Sequence, residues 1–343
     1  MKRVTVHDVA AEAGVSLATV DRVLNRRPGV RAATVGRVMD AVDRLGYQRD
    51  MFAANLAKGR DFRFCFVLPD NHANTFLKTL HAEALASAER LAPQRTLLSV
   101  LEYPAFNEAG LARVLEGLDP SNCMGAAIVA LDTPMVAEAI NALIRKGIGV
   151  VTLVSDVTPA RGLHSVGINN MAAGRVAGSL MGRFIGRRPG KVALIAGSLV
   201  LRDHVERRLG FEQTLMRDFP GLQILPVEEG FDDSAVTPAI TERLLRDHPD
   251  LVGLYSMGAG NRGIIRALEA SGRGKDIVVI AHELTSHSRR ALISGTFDAV
   301  INQCTADEVR YALDCLRAHC EGNTAFVPPN VRIDVIFRDN IPY

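Results

Sequence analysis

Apolar residues fall at helical spacing in three short stretches near the start of the chain. Beyond about residue 62 they form strand-length blocks separated by longer helical patterns. Val6, Val9, Ala10 and Ala13 recur at three- and four-residue intervals, the period of one helix face. Thr5 stands where an N-cap is expected, and Asp8, three residues on, completes a capping-box pattern. Gly14 ends this helix, and Ser16 can cap a second one with Val20, Val23 and Leu24 on its apolar face. A third helix is predicted from about Ala33 to Leu45, with Val35, Val38, Met39, Val42 and Leu45 sharing a face and Gly46 closing it. Two short helices joined by a glycine-containing turn, with a third to complete a small core, predict a helix-turn-helix unit of the kind that reads DNA.

The remainder alternates strand and helix. Strands are predicted at Arg63–Leu68, Thr96–Leu101, Ala126–Leu131, Ile148–Val154, Ser165–Ile168, Lys191–Ala196, Gln223–Val227, Leu251–Tyr255, Ile277–Ala281 and Ala299–Asn302. Amphipathic helix patterns lie between most of them, as at Thr75–Leu91, Pro134–Lys146, Gly174–Ile185 and Thr305–His319. Serial βα repetition predicts parallel sheets covered on both faces, and this many strands predicts two sheets.

Composition narrows the class. The 343 residues exceed one ordinary core, and 48% hydrophobic with 23% charged residues is globular. No apolar run approaches the ~18 residues of a membrane span. The N-terminal residues are basic without an apolar stretch behind them, so no secretory signal is expected and the cytoplasm is the expected compartment. Cys65, Cys123, Cys304, Cys315 and Cys320 lack the spacing of a zinc or redox motif. Cys315, His319 and Cys320 form at most half a metal site, so neither metal nor cofactor is expected. The net charge of +2 hides an asymmetry: residues 1–60 hold 11 Lys/Arg against 6 Asp/Glu, and the rest 29 against 32. A basic head on a slightly acidic body points to a polyanion as the head's partner.

The second helix turns Leu17, Ala18, Asp21 and Arg22 outward. An arginine grips guanine O6 and N7 with two hydrogen bonds, and small apolar side chains meet thymine methyls. Arg22 also reads as an ordinary surface arginine. The text Val4-Thr5-Val6-His7-Asp8-Val9-Ala10, Ala13-Gly14-Val15-Ser16, Thr19-Val20-Asp21-Arg22-Val23-Leu24-Asn25, Val30, Thr34, Leu45-Gly46-Tyr47 and Ala53-Ala54-Asn55-Leu56-Ala57 resembles the heads of the lactose-repressor (LacI/GalR) regulators. The resemblance implies that Leu17, Ala18 and Arg22 read major-groove bases. It implies that Thr5, Ser16, Thr19, Asn25, Thr34 and Tyr47 hold the phosphate backbone. It also implies that residues 50–61 form a hinge helix whose Leu56 wedges into the minor groove. Three departures stand out: Asp21 where the family has Ser, Arg31 in place of a Ser cap on the third helix, and Arg49-Asp50 where Pro-Asn is common.

The body resembles type I periplasmic sugar-binding proteins, which also form the effector domain of those regulators. The likeness rests on Leu68-Pro69-Asp70-Asn71 with Asn74-Thr75-Phe76, Gly147 through Asp156, Val166-Gly167-Ile168-Asn169-Asn170 with Ala173-Gly174-Arg175, Gly197, Arg207, Gly210-Phe211, Ala281-His282-Glu283 and Ile301-Asn302-Gln303. It implies a small all-α head plus an α/β two-lobed body with ligand closing the cleft. It implies effector contacts at Asn74, Phe76, Asp156, Arg175, Arg207, Glu283 and Gln303. Asn261 would add an amide, or cap its helix. For several of these a structural role is the alternative: Asp156 and Asn170 as helix caps, Arg207 as a surface ion pair. Glu283 is longer than the family's usual Asp. The chain has no Trp, so the stacking face for a sugar ring is modest.

Gly258-x-Gly260-x-x-Gly263 follows a strand and opens a helix, with Glu283 20 residues beyond the last glycine. That is the dinucleotide fingerprint, and it leaves a nucleotide-dependent enzyme as one alternative. A transport-linked binding protein is the other, disfavoured by the DNA-reading head. The expected plan is a head at 1–49, a hinge at 50–61 and a body at 62–343. Lobe one would take 62–162 and 296–324, lobe two 163–295 and 325–343. The end Asn340-Ile341-Pro342-Tyr343 carries no heptads, so a homodimer on a near-palindromic operator in double-stranded DNA is expected, acting as a repressor controlled by a sugar or polyol, with no membrane partner.

Overall fold

The computed structural model describes residues 4–24, 29–45, 61–70, 73–158 and 164–342. It divides into two compact units, 1–61 and 62–343.

In the first unit, α1 (Val6–Ala13), α2 (Leu17–Leu24) and α3 (Ala32–Leu45) close over Val9, Ala10, Ala13, Val20, Val23, Val38 and Ala41. The capping box forms as the spacing predicts: Thr5 N and Oγ1 both donate to Asp8 Oδ2 at 2.7 Å, and Asp8 N donates back to Thr5 Oγ1 at 3.4 Å. Gly14 ends α1 at φ +64°, where nothing crowds it. The left-handed backbone itself calls for glycine. Met39 departs from the expected apolar face and stands 44% exposed. Ala41 replaces it, one turn on from Val38 and beside Val42.

The second unit holds two sheets. β1 (Phe62–Pro69), β2 (Thr96–Tyr103), β3 (Gly125–Ile128), β4 (Gly149–Leu153) and β5 (His164–Val166) lie in the order 2-1-3-4-5, all parallel. On one face pack α4 (Thr75–Leu91) and α12 (Thr305–Cys320), and on the other α5 (Glu108–Glu116) and α6 (Pro134–Arg145). The second sheet contains β6 (Gly190–Ala196), β7 (Leu222–Ile224), β8 (Glu228–Glu229), β9 (Leu251–Ser256), β10 (Val278–His282), β11 (Ala299–Asn302) and β12 (Asp334–Ile336). Its parallel core runs 7-6-9-10-11, the same winding as the first sheet, and β12 adds an antiparallel edge. Its cover is α7 (Asn170–Ile185) and α8 (Arg202–Asp218) on one face, and α9 (Thr237–Asp247), α10 (Asn261–Ser271) and α11 (Ser286–Ser294) on the other.

Two strands fall in the opposite lobe to the one expected. β5 pairs with β4 in the first sheet, and β11 pairs with β10 in the second. The chain therefore crosses after Val166 and after Asn302, not at 163 and 296, because each strand is hydrogen-bonded to its predecessor before the turn. The predicted strand 223–227 stops at Ile224, ahead of Pro226, which has no N–H to give, and a separate short strand, Glu228–Glu229, pairs with another part of β6.

α7 and α8 cross closely. A Cβ on Gly174 would lie 2.0 Å from the Arg207 carbonyl oxygen, and one on Gly210 would lie 2.1 Å from that of Met171. Both positions need hydrogen as a side chain, and that contact fixes the start of α8 against α7.

Candidate functional site

Each sheet reverses its winding between two neighbouring strands, β1 and β3 in one and β6 and β9 in the other. Open α/β sheets leave a crevice beyond the carboxyl ends of such strands. A cavity lies there, lined from the first sheet by Pro69, Tyr103, Val129, Leu131, Val154 and Ser155. α8 adds Asp203, His204 and Arg207, the second sheet and its loops add Asp232, Gly258, Ala259, His282, Glu283 and Gln303, and the start of α4 adds Asn74, Phe76 and Leu77.

The lobes touch around this cavity. Asn74 Nδ2 donates to Asp232 Oδ2 at 3.0 Å while its Oδ1 caps α4 through Leu77 N at 3.1 Å. Asp232 Oδ1 accepts from Ala259 N at 2.7 Å. Glycines 197 and 258 leave room for that carboxylate, since a Cβ on either would approach it within 2.5 Å. At the rim Phe106 meets Phe231 edge-on, ring centres 6.1 Å apart. Asp132 N donates to Val200 O at 3.0 Å, and Arg202 donates to Thr158 Oγ1.

Arg207 is buried at the cavity floor. Its Nε donates to Asn170 Oδ1 at 2.8 Å and one terminal nitrogen donates to Met257 O at 2.7 Å. The other, Nη2, lies 3.6 Å from Asp203 Oδ2 and makes no hydrogen bond. Gln303 Nε2 donates to Glu283 Oε1 at 2.7 Å. Burial pushes the Glu283 carboxyl up to about 7, against the pull of Arg207 and of the Gln303 bond. His282 is held well below its usual range, first by burial and then by Arg207 and His204, so the ring is neutral. Burial likewise raises Tyr255, whose hydroxyl lies 2.8 Å from His282 Nε2. A protonated Tyr255 donates there, which puts the ring's hydrogen on Nδ1.

Five polar atoms lining the cavity have no hydrogen-bond partner among the described residues: Ser155 Oγ, Asp203 Oδ1, Arg207 Nη2, His282 Nδ1 and Gln303 Oε1. A buried group left so costs roughly 1–3 kcal/mol. Five in one cavity are a template for a ligand rich in both donors and acceptors.

Comparison with known proteins agrees with this architecture. Residues 64–324 match the model of the periplasmic binding protein domain, and residues 5–50 match that of bacterial regulatory proteins of the lacI family. The chain belongs to the periplasmic binding protein domain family and carries a lacI-family head. Among solved structures, GanP, a glucose-galactose binding protein from Geobacillus stearothermophilus, superposes with a TM-score of 0.74 at 23% identity, covering 83% of this chain and 100% of its own. An ABC transporter solute binding protein from Burkholderia graminis C4D1M, in complex with D-arabinose, gives 0.73 at 22% identity, over 82% of this chain and 96% of its own. Curated relatives align over the head. Catabolite control protein A of Priestia megaterium is 42% identical and the HTH-type transcriptional regulator pepR1 of Lactobacillus delbrueckii subsp. lactis 46% identical, each over 67 residues, or 20% of either chain. The match thus spans about a fifth of those relatives.

Within the binding-protein body, Asn74, Phe76, Arg207, Glu283 and Gln303 line the cavity together. Arg207 is buried there rather than paired on a surface. Asp156 is turned away, accepting from Thr152 Oγ1 at 2.7 Å and Val157 N at 2.8 Å, and Ser155 takes its place at the wall. Arg175 lies exposed on α7 and is not part of the wall. Asn261 ties strand ends together, accepting from Ser256 Oγ at 2.7 Å and donating to His282 O at 3.0 Å, and faces only an adjoining recess. Asn169, not Asn170, caps α7. Asp203, His204, Asp232 and His282 complete the wall without having been singled out. Asp203 precedes Arg207 by one helical turn, a spacing visible in the sequence. Asp232 sits in an irregular turn at φ +54°, with no periodic signal.

The glycine loop does join a strand to a helix, as the dinucleotide pattern requires. Its glycines are used otherwise. Gly258 faces the Asp232 carboxylate, and Gly260 and Gly263 lie against Thr237 of α9. A phosphate there would meet a carboxylate that already holds the Ala259 amide.

In the lacI-family head, Leu17, Ala18 and Arg22 are exposed on α2. Ser16 Oγ accepts from Thr19 N at 3.2 Å and contacts Thr19 Oγ1 at 2.9 Å. At the start of α3 the Arg31 carbonyl accepts from Thr34 N and Val35 N. Asn25, Tyr47, Arg49, Asp50, Leu56 and Asn71 lie outside the described residues. No described helix is long and apolar enough to cross a membrane.

Proposed function

We propose that this chain is a cytoplasmic, homodimeric transcriptional repressor whose hold on a near-palindromic operator is set by a small sugar or polyol in the body cavity. The five partnerless polar atoms of that cavity carry the reading, because a hydroxyl both donates and accepts and so meets all of them. Arg207, Gln303, Glu283, Asn74, Asp203 and His282 contact the ligand, and Phe76 covers a C–H face. Leu17, Ala18 and Arg22 read bases, with Thr5, Ser16, Thr19, Thr34, Asn25 and Tyr47 on phosphates and Leu56 in the minor groove. Ligand bound between the lobes changes their closure, and the two closure states differ in affinity for DNA.

Thermal melting of the full chain against a panel of sugars and polyols tests the effector half. One member should raise the melting temperature, and Arg207→Gln should abolish the rise. A panel without effect would contradict the reading.

A further inference from the structure

Carboxyl groups crowd the cavity floor. Asp203, Asp232 and Glu283 line it, and Glu308 of α12 lies buried behind. Among the described residues, Arg207 is the only lysine or arginine in the wall. Asp232 is satisfied by Asn74 and Ala259, but Asp203 Oδ1 and both oxygens of Glu308 have no hydrogen-bond partner among the described residues. The one nearby guanidinium has spent two of its donors on Asn170 and Met257. His282 is neutral, and His204 Nε2 lies 3.7 Å from Asp203 Oδ2.

Gln303 supplies an independent pointer. It is 4% exposed, and its amide hydrogen is given to Glu283 Oε1, which leaves Oε1 as a buried acceptor with no donor. Asp203 Oδ1 is another acceptor in the same wall. A phosphate or carboxylate on the ligand has only acceptors and would face these groups with like charge. A neutral hydroxyl has one hydrogen to give. An ammonium has three, enough for several of these acceptors at once, and its charge favours the ionised form of the carboxyls beside it.

We propose that the effector is a polyhydroxyl compound bearing an amine, such as an amino sugar, with its ammonium seated among Asp203, Glu283 and Gln303 and its hydroxyls on Arg207, His282 and Ser155. This rests on the sugar-sensing reading above and narrows it. Burial, the chief cause in each case, favours the protonated forms of Glu283 and Glu308. An ammonium beside them favours their ionised forms, so binding releases protons.

The test is calorimetric titration of the full-length chain at pH 7. The ligands are hexoses and hexitols, the same compounds with an amine at C1, C2 or C6, the N-acetylated amines and the 6-phosphates. An amine-bearing member should bind at least tenfold tighter than its parent and its N-acetyl derivative, with proton release seen as a dependence of heat on buffer. Asp203→Asn should bring amine and parent within about twofold. The wild-type ranking decides the matter even if that variant folds poorly. A neutral or phosphorylated member binding as tightly as its amine would overturn the inference and leave the sugar-sensing reading standing. Failure of every member would overturn both.

Discussion

Asn74 and Asp232 lie 158 positions apart in sequence and meet across the cavity in a 3.0 Å hydrogen bond. Asn74 caps α4 against the first sheet, and Asp232 accepts a backbone amide from the loop after β9. One buried carboxylate therefore ties a helix start in one lobe to a loop in the other. A double-mutant cycle of Asn74→Ala and Asp232→Ala should show a coupling of about 1 kcal/mol in urea unfolding. Additive single effects would mean the bond does not link the lobes energetically.

Gly174→Ala should destabilise the body by at least about 1–3 kcal/mol, because its Cβ would strike the Arg207 carbonyl. The same shift should weaken effector binding, since it moves the start of α8 and with it Arg207. Urea midpoints and a ligand titration of the variant check both.

Stability should fall as pH rises from about 4.5 to about 7. The folded chain keeps a proton on Glu283 over that window, and the unfolded chain has lost it. The contribution is full below 4.5 and gone above 7. Glu308, shifted in the same direction, adds to the fall. Glu283→Gln should flatten the wild-type slope by on the order of 1–3 kcal/mol across the window, read from urea midpoints at successive pH values.

Ser16→Ala removes the side-chain acceptor for Thr19 N at the start of α2. The head should lose about 1 kcal/mol, measured as helix melting by circular dichroism.

Arg22→Ala should cost about 1–3 kcal/mol on the operator and relax the preference at one guanine. Equal loss on operator and unrelated DNA, in competition binding, would assign Arg22 to phosphate instead.

Local rules carried far along this chain. Thr5, Asp8, Gly14 and Ser16 mark helix ends through chemistry confined to four residues, and the structure has them in those roles. The strands likewise show as short apolar blocks, though one of them stops ahead of Pro226. The lobe assignment of β5 and β11 was not legible, because pairing depends on residues far away in sequence. The site divides similarly. Arg207, Glu283 and Gln303 stand in motifs and line the cavity. Asp156 stands in a motif too, yet Thr152, four residues back, captures its carboxylate. Asp232 was hidden because its position depends on the space left by Gly197 and Gly258, and on Asn74 in the other lobe.

The central claim is that one small molecule in the body cavity controls sequence-specific DNA binding by the head. Selection of genomic DNA fragments by the full-length chain, with and without a panel of sugars, polyols and their amines, tests it most directly. The account predicts recovery of a near-palindrome whose binding one compound abolishes or strengthens, with the response lost in Arg207→Gln. Salt-sensitive binding without sequence preference, unmoved by every compound, would contradict it.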